Sequence, residues 1–262
     1  MPEAPVNGIR LYYEEHGEGA PIACIHGTGS SALVWGDAVE KLARLGRVIT
    51  YDRRGHTRSE RPEPYERTTV TEHADDAAAL LDALAAVPAV VIGRSYGGTV
   101  ATDLALRYPD RVRALVLLEA DAPGLAPAAD GWVSGLNDRL REVAGQAGVD
   151  AVGEALINEV AGESAWRSFP KEIRRMWAQN GPAVLAEVRY EGPHADAAAL
   201  ATIEQPVLLM AAADSPPEFH EPNEVMADAL PNARTALVGG GHLIDPADPE
   251  VLAFIREVLE RT

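Results

Sequence analysis

"IGRSYGGT" (residues 92–99) directly follows the apolar run "PAVV" (88–91), so a serine sits among three glycines where a buried strand ends. Gly93-Arg94-Ser95-Tyr96-Gly97 fits the pattern G-x-S-x-G, and a helical pattern, "GGTVATDLALRYPDRV", begins at once. In a nucleophile elbow the serine takes a strained backbone conformation on a sharp strand–turn–helix. Its neighbours two residues away must be small so that strand and helix can pass closely. The run lacks the lysine of a phosphate-binding loop and has no second G-x-G. The context therefore predicts Ser95 as a nucleophile.

Outward from this point the chain alternates between strand-like and helix-like segments, the mark of a largely parallel α/β sheet. The strand-like runs are "PIACIH", "GRVITYD", "AVVIG", "RALVLLE", "QPVLLMAA" and "ARTALVG", preceded by a hairpin signalled at Asn7-Gly8. "TVTEHADDAAALLDALAA" opens a helix on a threonine cap, and the helix after Ser95 is expected to end at Tyr108 because Pro109 follows. The last helix, "DPEVLAFIREVLER", carries Pro249 in its first turn. Residues 122–200 interrupt the alternation with helical patterns alone. The expected organisation is a core of residues 1–121 and 201–262 with a helical lid, 122–200, inserted between two core strands. Three of the four tryptophans, Trp132, Trp166 and Trp177, fall in that insertion. Packing of small helices is their default role, and contact with substrate is the alternative.

A nucleophilic serine needs donors for the oxyanion and a base. "HGTGSS" (26–31) follows a strand-like run, and its glycines let the Thr28 N–H aim at the site. Tyr96, beside the nucleophile at a helix start, offers the second N–H, and Gly27 borders the substrate. His26 is expected to brace this turn rather than to catalyse. His242 lies in "VGGGHLIDPADPE" after the last strand, where glycines let it reach Ser95 as the base. His16, His56, His73, His194 and His220 have no such setting and no metal-ligand spacing, so neither a metal nor a cofactor is expected.

Composition narrows the partners. A net charge of −17 argues against nucleic acid and anionic membrane surfaces. No run of eighteen apolar residues is present, and "MPEAPVNGIR" does not read as a secretory leader. The single cysteine, Cys24, fits a buried thiol in a reducing cytoplasm. Two lysines against many arginines and alanines suit the codon usage of a GC-rich bacterium. A monomer or a homodimer is expected.

These residues resemble the α/β-hydrolase family throughout the chain: the "HGTG" turn, the "GRSYGG" elbow, the terminal "GGGH" and "YDRRGHTRS". The last is similar to the family's D-x-R-G-x-G-x-S loop, with Thr57 where glycine is usual. A narrower likeness links "NGIRLYYEEHGEG", "GESAWRSFPKEIRRMWAQNG" and the segment from Pro206 to His242 to the zearalenone-lactonase group. In that group the tryptophan expected over the ligand has no obvious counterpart in "GPAVLAEVRYEGPH". The resemblance implies a serine hydrolase that opens an ester or lactone through an acyl-enzyme, and the tryptophan-bearing insertion predicts an apolar pocket that favours bulky, uncharged substrates over acetate esters. A thioesterase, a carbon–carbon bond hydrolase, a cofactor-free perhydrolase or a ligand receptor could be built on the same fold.

The acid that orients His242 has two candidates. Asp214, in "VLLMAAADSPP", follows the seventh strand, the commonest place for the acid in the resembled family. Counting from Pro206 reaches it one step early, and Ser215 fills the usual position. Glu119 ends the preceding strand, 24 residues beyond Ser95 (119 − 95). A glutamate at that strand end orients the histidine in the zearalenone-lactonase group and in some haloalkane dehalogenases, and on that likeness Glu119 is favoured. Asp121 is expected to be a loop charge facing solvent.

Overall fold

A computed structural model describes residues 2–188 and 195–261 of the chain. His194 and the end of "GPAVLAEVRYEGPH" lie outside the described residues. The opening hairpin joins β1 (Glu3–Val6) to β2 (Ile9–His16). Its turn residues Asn7 and Gly8 both have positive φ, 45° and 79°, which suits the right-handed twist of the paired strands. Six strands follow: β3 (Pro21–Ile25), β4 (Arg47–Tyr51), β5 (Ala89–Arg94), β6 (Val112–Leu118), β7 (Val207–Ala212) and β8 (Ala233–Val238). The sheet runs β1-β2-β4-β3-β5-β6-β7-β8. The pairings of β2 with β1 and β4 are antiparallel and the others are parallel. This is the α/β-hydrolase fold.

The helices are α1 (Ala38–Leu42), α2 (Val70–Ala83), α3 (Tyr96–Arg107), α4 (Pro127–Ala147), α5 (Val152–Val160), α6 (Glu163–Ser168), α7 (Lys171–Gln179), α8 (Gly181–Glu187), α9 (Ala197–Leu200), α10 (Pro217–Ala229) and α11 (Pro249–Glu260). Thr69 caps α2 by accepting from Glu72 N at 3.0 Å, and the Glu72 carboxylate accepts from Thr69 N at 2.9 Å. Strand β5 is buried along its whole length, so it reads as one apolar run. Ala89 and Val91 face a core shared with α2, α3 and α10, while Val90 and Ile92 face one shared with α1 and α11. Each fully buried aliphatic side chain adds about 1.5–3 kcal/mol to this packing.

Helices α4 to α9 all lie between β6 and β7 in the chain. They bury a core of their own that includes Leu140, Ile157, Met176, Trp177 and Val184. Asn180, fully buried, ties these helices to the sheet. Its Nδ2 donates to Gly29 O at 3.0 Å and Ser30 O at 2.8 Å, and its Oδ1 accepts from Thr57 N at 2.7 Å. The last bond explains the departure at Thr57. The residue keeps the positive φ that favours glycine, 41°, because Asn180 holds its amide there.

Candidate active site

Strand β5 ends at Arg94, and the backbone turns at Ser95 with φ 51° and ψ −128° before α3 begins at Tyr96. Such a conformation costs on the order of 1–3 kcal/mol in a non-glycine residue, so the surroundings must enforce it. They do so by crowding. A Cβ on Gly93 would sit 2.5 Å from Gly97 O, and one on Gly97 would sit 2.2 Å from Ile25 O. Ser95 N still donates to Leu118 O at 3.0 Å, so the ladder between β5 and β6 runs into the turn.

That ladder pairs Arg94 with Leu118, which places Glu119 alongside Ser95 at the same end of the sheet. Glu119 also has a positive φ, 44°, and its side chain is fully buried. Oε1 accepts from Ala212 N at 2.8 Å, and Oε2 accepts from Ser215 Oγ at 3.0 Å. His242 Nδ1 lies 2.7 Å from the same Oε2. A proton on Nδ1 shared with this carboxylate leaves Nε2 of the ring as an acceptor. Phe219 packs against the imidazole with ring centroids 4.6 Å apart, and Trp132 packs on Phe219 at 4.9 Å.

Asp214 is exposed; its amide donates to Gly240 O at 2.9 Å. Asp121 corrects an expectation: it is a cavity wall, not a loop charge in solvent. Burial pushes its carboxyl up to about 6, and neighbouring Asp130 and Glu119 add to the rise against the opposing pull of His242.

Two cavities, of about 480 and 560 Å³, meet at the elbow; both are lined by Thr28, Ser95, Leu156 and Val160. The smaller also touches Gly27, Trp177 and His242, and the larger touches Tyr96, Trp132 and Asp121. Trp166 lines neither cavity and packs against the core of the helical segment. No hydrogen bond joins Ser95 Oγ to His242 among the described residues; the two share one cavity wall, and such contacts are often long without substrate. A Cβ on Gly27 would lie 3.3 Å from Ser95 Cβ, so the turn that carries Thr28 presses on the serine. Tyr96 opens α3, and amides of a first turn lie beyond the helix's own ladder.

A buried network behind the Thr28 turn is invisible in the sequence. His26 shares Nδ1 with Gly27 O at 2.9 Å and accepts from Arg53 N at Nε2, also at 2.9 Å. Arg53, with a fully buried side chain, donates to His26 O at 3.0 Å, Gly27 O at 2.9 Å and Glu187 Oε1 at 2.6 Å. His56 and His73 pack into the same cluster. Burial, reinforced by Arg53, drives all three histidines well below the ordinary imidazole range, so they are neutral near pH 7. Burial raises the Glu187 carboxyl against the pull of Arg53 and the Thr28 hydroxyl. No group of three or more His, Cys, Asp or Glu side chains suited to a metal ion occurs among the described residues. No helix among them is long and apolar enough to cross a membrane.

The profile of the alpha/beta hydrolase fold family matches residues 20–244. The chain belongs to this family. A putative carbamate hydrolase of Azorhizobium caulinodans is 30% identical over 273 aligned residues, covering 96% of this chain and 95% of that protein. The chain spans only 41% of an uncharacterized Bacillus subtilis hydrolase that it matches at 37% identity over 111 residues, 42% of its own length. A thermophilic esterase from Thermogutta terrifontis superposes with a TM-score of 0.77 at 29% identity, covering 99% of this chain and 98% of that one. Est816, described as an N-acyl homoserine lactone degrading enzyme, gives a TM-score of 0.75 at 26% identity over 99% of both chains.

Proposed function

We propose that this α/β-hydrolase is a serine hydrolase of carboxylic esters and lactones, acting through Ser95, His242 and Glu119. The observation that carries the reading is the buried Glu119–His242 pair, 2.7 Å apart, on a cavity that also exposes the elbow serine. Ser95 Oγ attacks the carbonyl carbon while His242 Nε2 takes its proton. The N–H groups of Thr28 and Tyr96 receive the developing oxyanion. Collapse breaks the bond to the leaving oxygen, which takes the proton back from His242, and water then resolves the acyl-enzyme by the same steps. Residues 122–200 serve as a lid that supplies apolar walls through Trp132 and Trp177. A macrocyclic resorcylic lactone of the zearalenone type is one substrate that cavities of this size and character would suit.

The esterase and the lactone-degrading neighbour support the ester and lactone reading. The carbamate hydrolase relative, matched over nearly the whole chain, favours a second one, in which the same serine attacks a carbamate carbonyl. The test is turnover of 4-nitrophenyl butyrate, N-butyryl homoserine lactone and a 4-nitrophenyl carbamate, with mass-spectrometric mapping of a serine-directed phosphonate. Hydrolysis of the ester or lactone and labelling at Ser95 are expected. Labelling that survives Ser95→Ala removes the nucleophile assignment, and carbamate turnover with inert esters selects the second reading.

A further inference from the structure

Arg94 stands between Gly93 and Ser95 in the elbow, yet nothing in the proposed chemistry uses its side chain. It is 9% exposed and lines the 480 Å³ cavity together with Ser95 and His242. Nη2 donates to Ile244 O at 2.6 Å, and the guanidinium carbon lies 5.2 Å from the Trp35 ring centroid. Nε is buried with no acceptor. Among the described residues no carboxylate forms an ion pair with this guanidinium. Asp245 acts on it only from longer range and is itself engaged by Lys41 Nζ at 3.3 Å. Burial lowers the Arg94 pKa to about 10, so the side chain remains a cation near pH 7.

Buried charges are normally paired, because an isolated one forfeits its hydration without compensation. Here a buried cation has no carboxylate in ion-pair contact among the described residues, although Asp37 and Asp245 line the same cavity and Asp245 is taken by Lys41. The walls of this cavity carry Leu33, Leu156, Ile157, Phe169, Ile173 and Trp177, together with the charged residues Asp37, Lys41 and Asp245. The other cavity is more acidic, since Asp121, Asp130, Asp138 and Glu187 line it and its Arg141 is held by Asp138 at 2.8 Å.

We propose that Arg94 forms a carboxylate-binding subsite, and that the leaving portion of the substrate is an apolar alcohol or phenol bearing a carboxylate. The side follows from His242, which lines the Arg94 cavity and not the acidic one. The group that His242 protonates on departure must lie on the imidazole's side. This assignment rests on the ester-hydrolase reading; hydrolysis would release an acid and a hydroxycarboxylate. A single guanidinium edge matches one carboxylate. The subsite departs from the expectation of an uncharged substrate, which rested on the tryptophans of the helical insertion and did not weigh Arg94.

The test compares 4-carboxyphenyl butyrate with its neutral isostere 4-carbamoylphenyl butyrate in the parent and in Arg94→Met. A charge-assisted contact in a cavity is worth about tenfold to a hundredfold in kcat/KM. The acid-to-amide ratio should therefore exceed about ten in the parent and fall by about tenfold or more in the variant. Comparing ratios cancels the difference in leaving-group reactivity. A parent ratio at or below one, or the same ratio in both proteins, overturns the subsite. Should Arg94→Met fail to fold, the parent alone decides: benzoate must inhibit 4-nitrophenyl butyrate hydrolysis competitively and more strongly than benzamide, and equal inhibition overturns the proposal. Cleavage of the amide ester with no preference for the acid sinks the subsite alone. If neither ester is cleaved while benzoate still raises the Tm of the parent but not of the variant, the ester reading fails and the anion site stands.

Discussion

Replacing Glu119 by glutamine is the sharpest perturbation of the proposed triad, because the surrounding donors dictate how the new amide must sit. Ala212 N–H is buried and needs the acceptor it has at Oε1, 2.8 Å away. The glutamine therefore keeps its carbonyl oxygen there and turns its NH₂ toward His242. A donor now faces Nδ1, so the ring must accept at Nδ1 and carry its proton on Nε2, the nitrogen that has to take the proton of Ser95. Ser215 Oγ, 3.0 Å from Oε2, can rotate its hydroxyl and accept from the amide, so the fold loses little. Forcing the wrong tautomer should lower kcat by about 10⁴, equivalent to about 5.5 kcal/mol in the barrier. Asp214→Asn, at an exposed side chain, should stay within about twofold of the parent, as is usual for a surface change. The assay is steady-state hydrolysis of 4-nitrophenyl butyrate by the three proteins, with matched circular dichroism and Tm to exclude misfolding. A Glu119→Gln enzyme that keeps most of its activity, or a crippled Asp214→Asn, refutes the reasoning.

Two further outcomes follow from burial and packing. Asp121 has a folded pKa of about 6, above its ordinary value of 3.8, so the folded state binds its proton more tightly than the unfolded chain does. Stability is therefore lost as pH rises through that window, and Asp121→Asn should raise the Tm at pH 8 while matching the parent near pH 4; a Tm difference independent of pH would contradict this. Gly93→Ala drives a methyl to 2.5 Å from Gly97 O and 2.6 Å from Gly98 Cα, both backbone. Overpacking of this kind should cost about 1–3 kcal/mol in urea unfolding and misplace Ser95, and an unchanged midpoint with full activity would show that strand and helix can part freely.

The fold was legible because its signals are local and repeated. Strand β5 is an apolar run ending in small residues, α2 begins at its capping threonine, and the helix after Ser95 stops before Pro109; each of these depends on neighbours in sequence. What escaped depends on partners far apart. Arg53 meets Glu187 across 134 positions, and Asn180 meets Thr57 across 123. Hydrophobic periodicity reports that a residue is buried but not what it touches, so His56 and His73 could be dismissed as ligands without being placed behind the Thr28 turn. Arg94, Phe219 and Asp121 were missed for the same reason. In sequence a charge beside an elbow and a charge in a loop look alike, whichever of them faces a cavity.

The choice between the two carboxylates shows where local reading ends and sheet register begins. Counting along β7 compares Asp214 only with its own strand. The pairing of β6 with β7 matches Leu118 to Met210, so Glu119 leaves the sheet one residue beyond that pair and Asp214 four. By then the chain past β7 has turned toward the histidine loop, and the Asp214 amide is taken by Gly240 O. Ser215, at the position where the family usually carries its acid, still directs an oxygen inward, but as a donor to Glu119 Oε2. The end of β7 thus contributes a hydroxyl and the Ala212 amide, while the negative charge beside His242 comes from the end of β6. If this division of labour holds, adding a carboxylate at the end of β7 while Glu119 remains should fail. Ser215→Asp would put a second carboxylate within reach of the first, at a site already buried, where two like charges in contact raise a pKa strongly. The double change Glu119→Gln with Ser215→Asp should therefore recover activity relative to Glu119→Gln alone, while Ser215→Asp by itself should lower it. Activity in the double variant no higher than in Glu119→Gln would mean that His242 can be oriented only from β6.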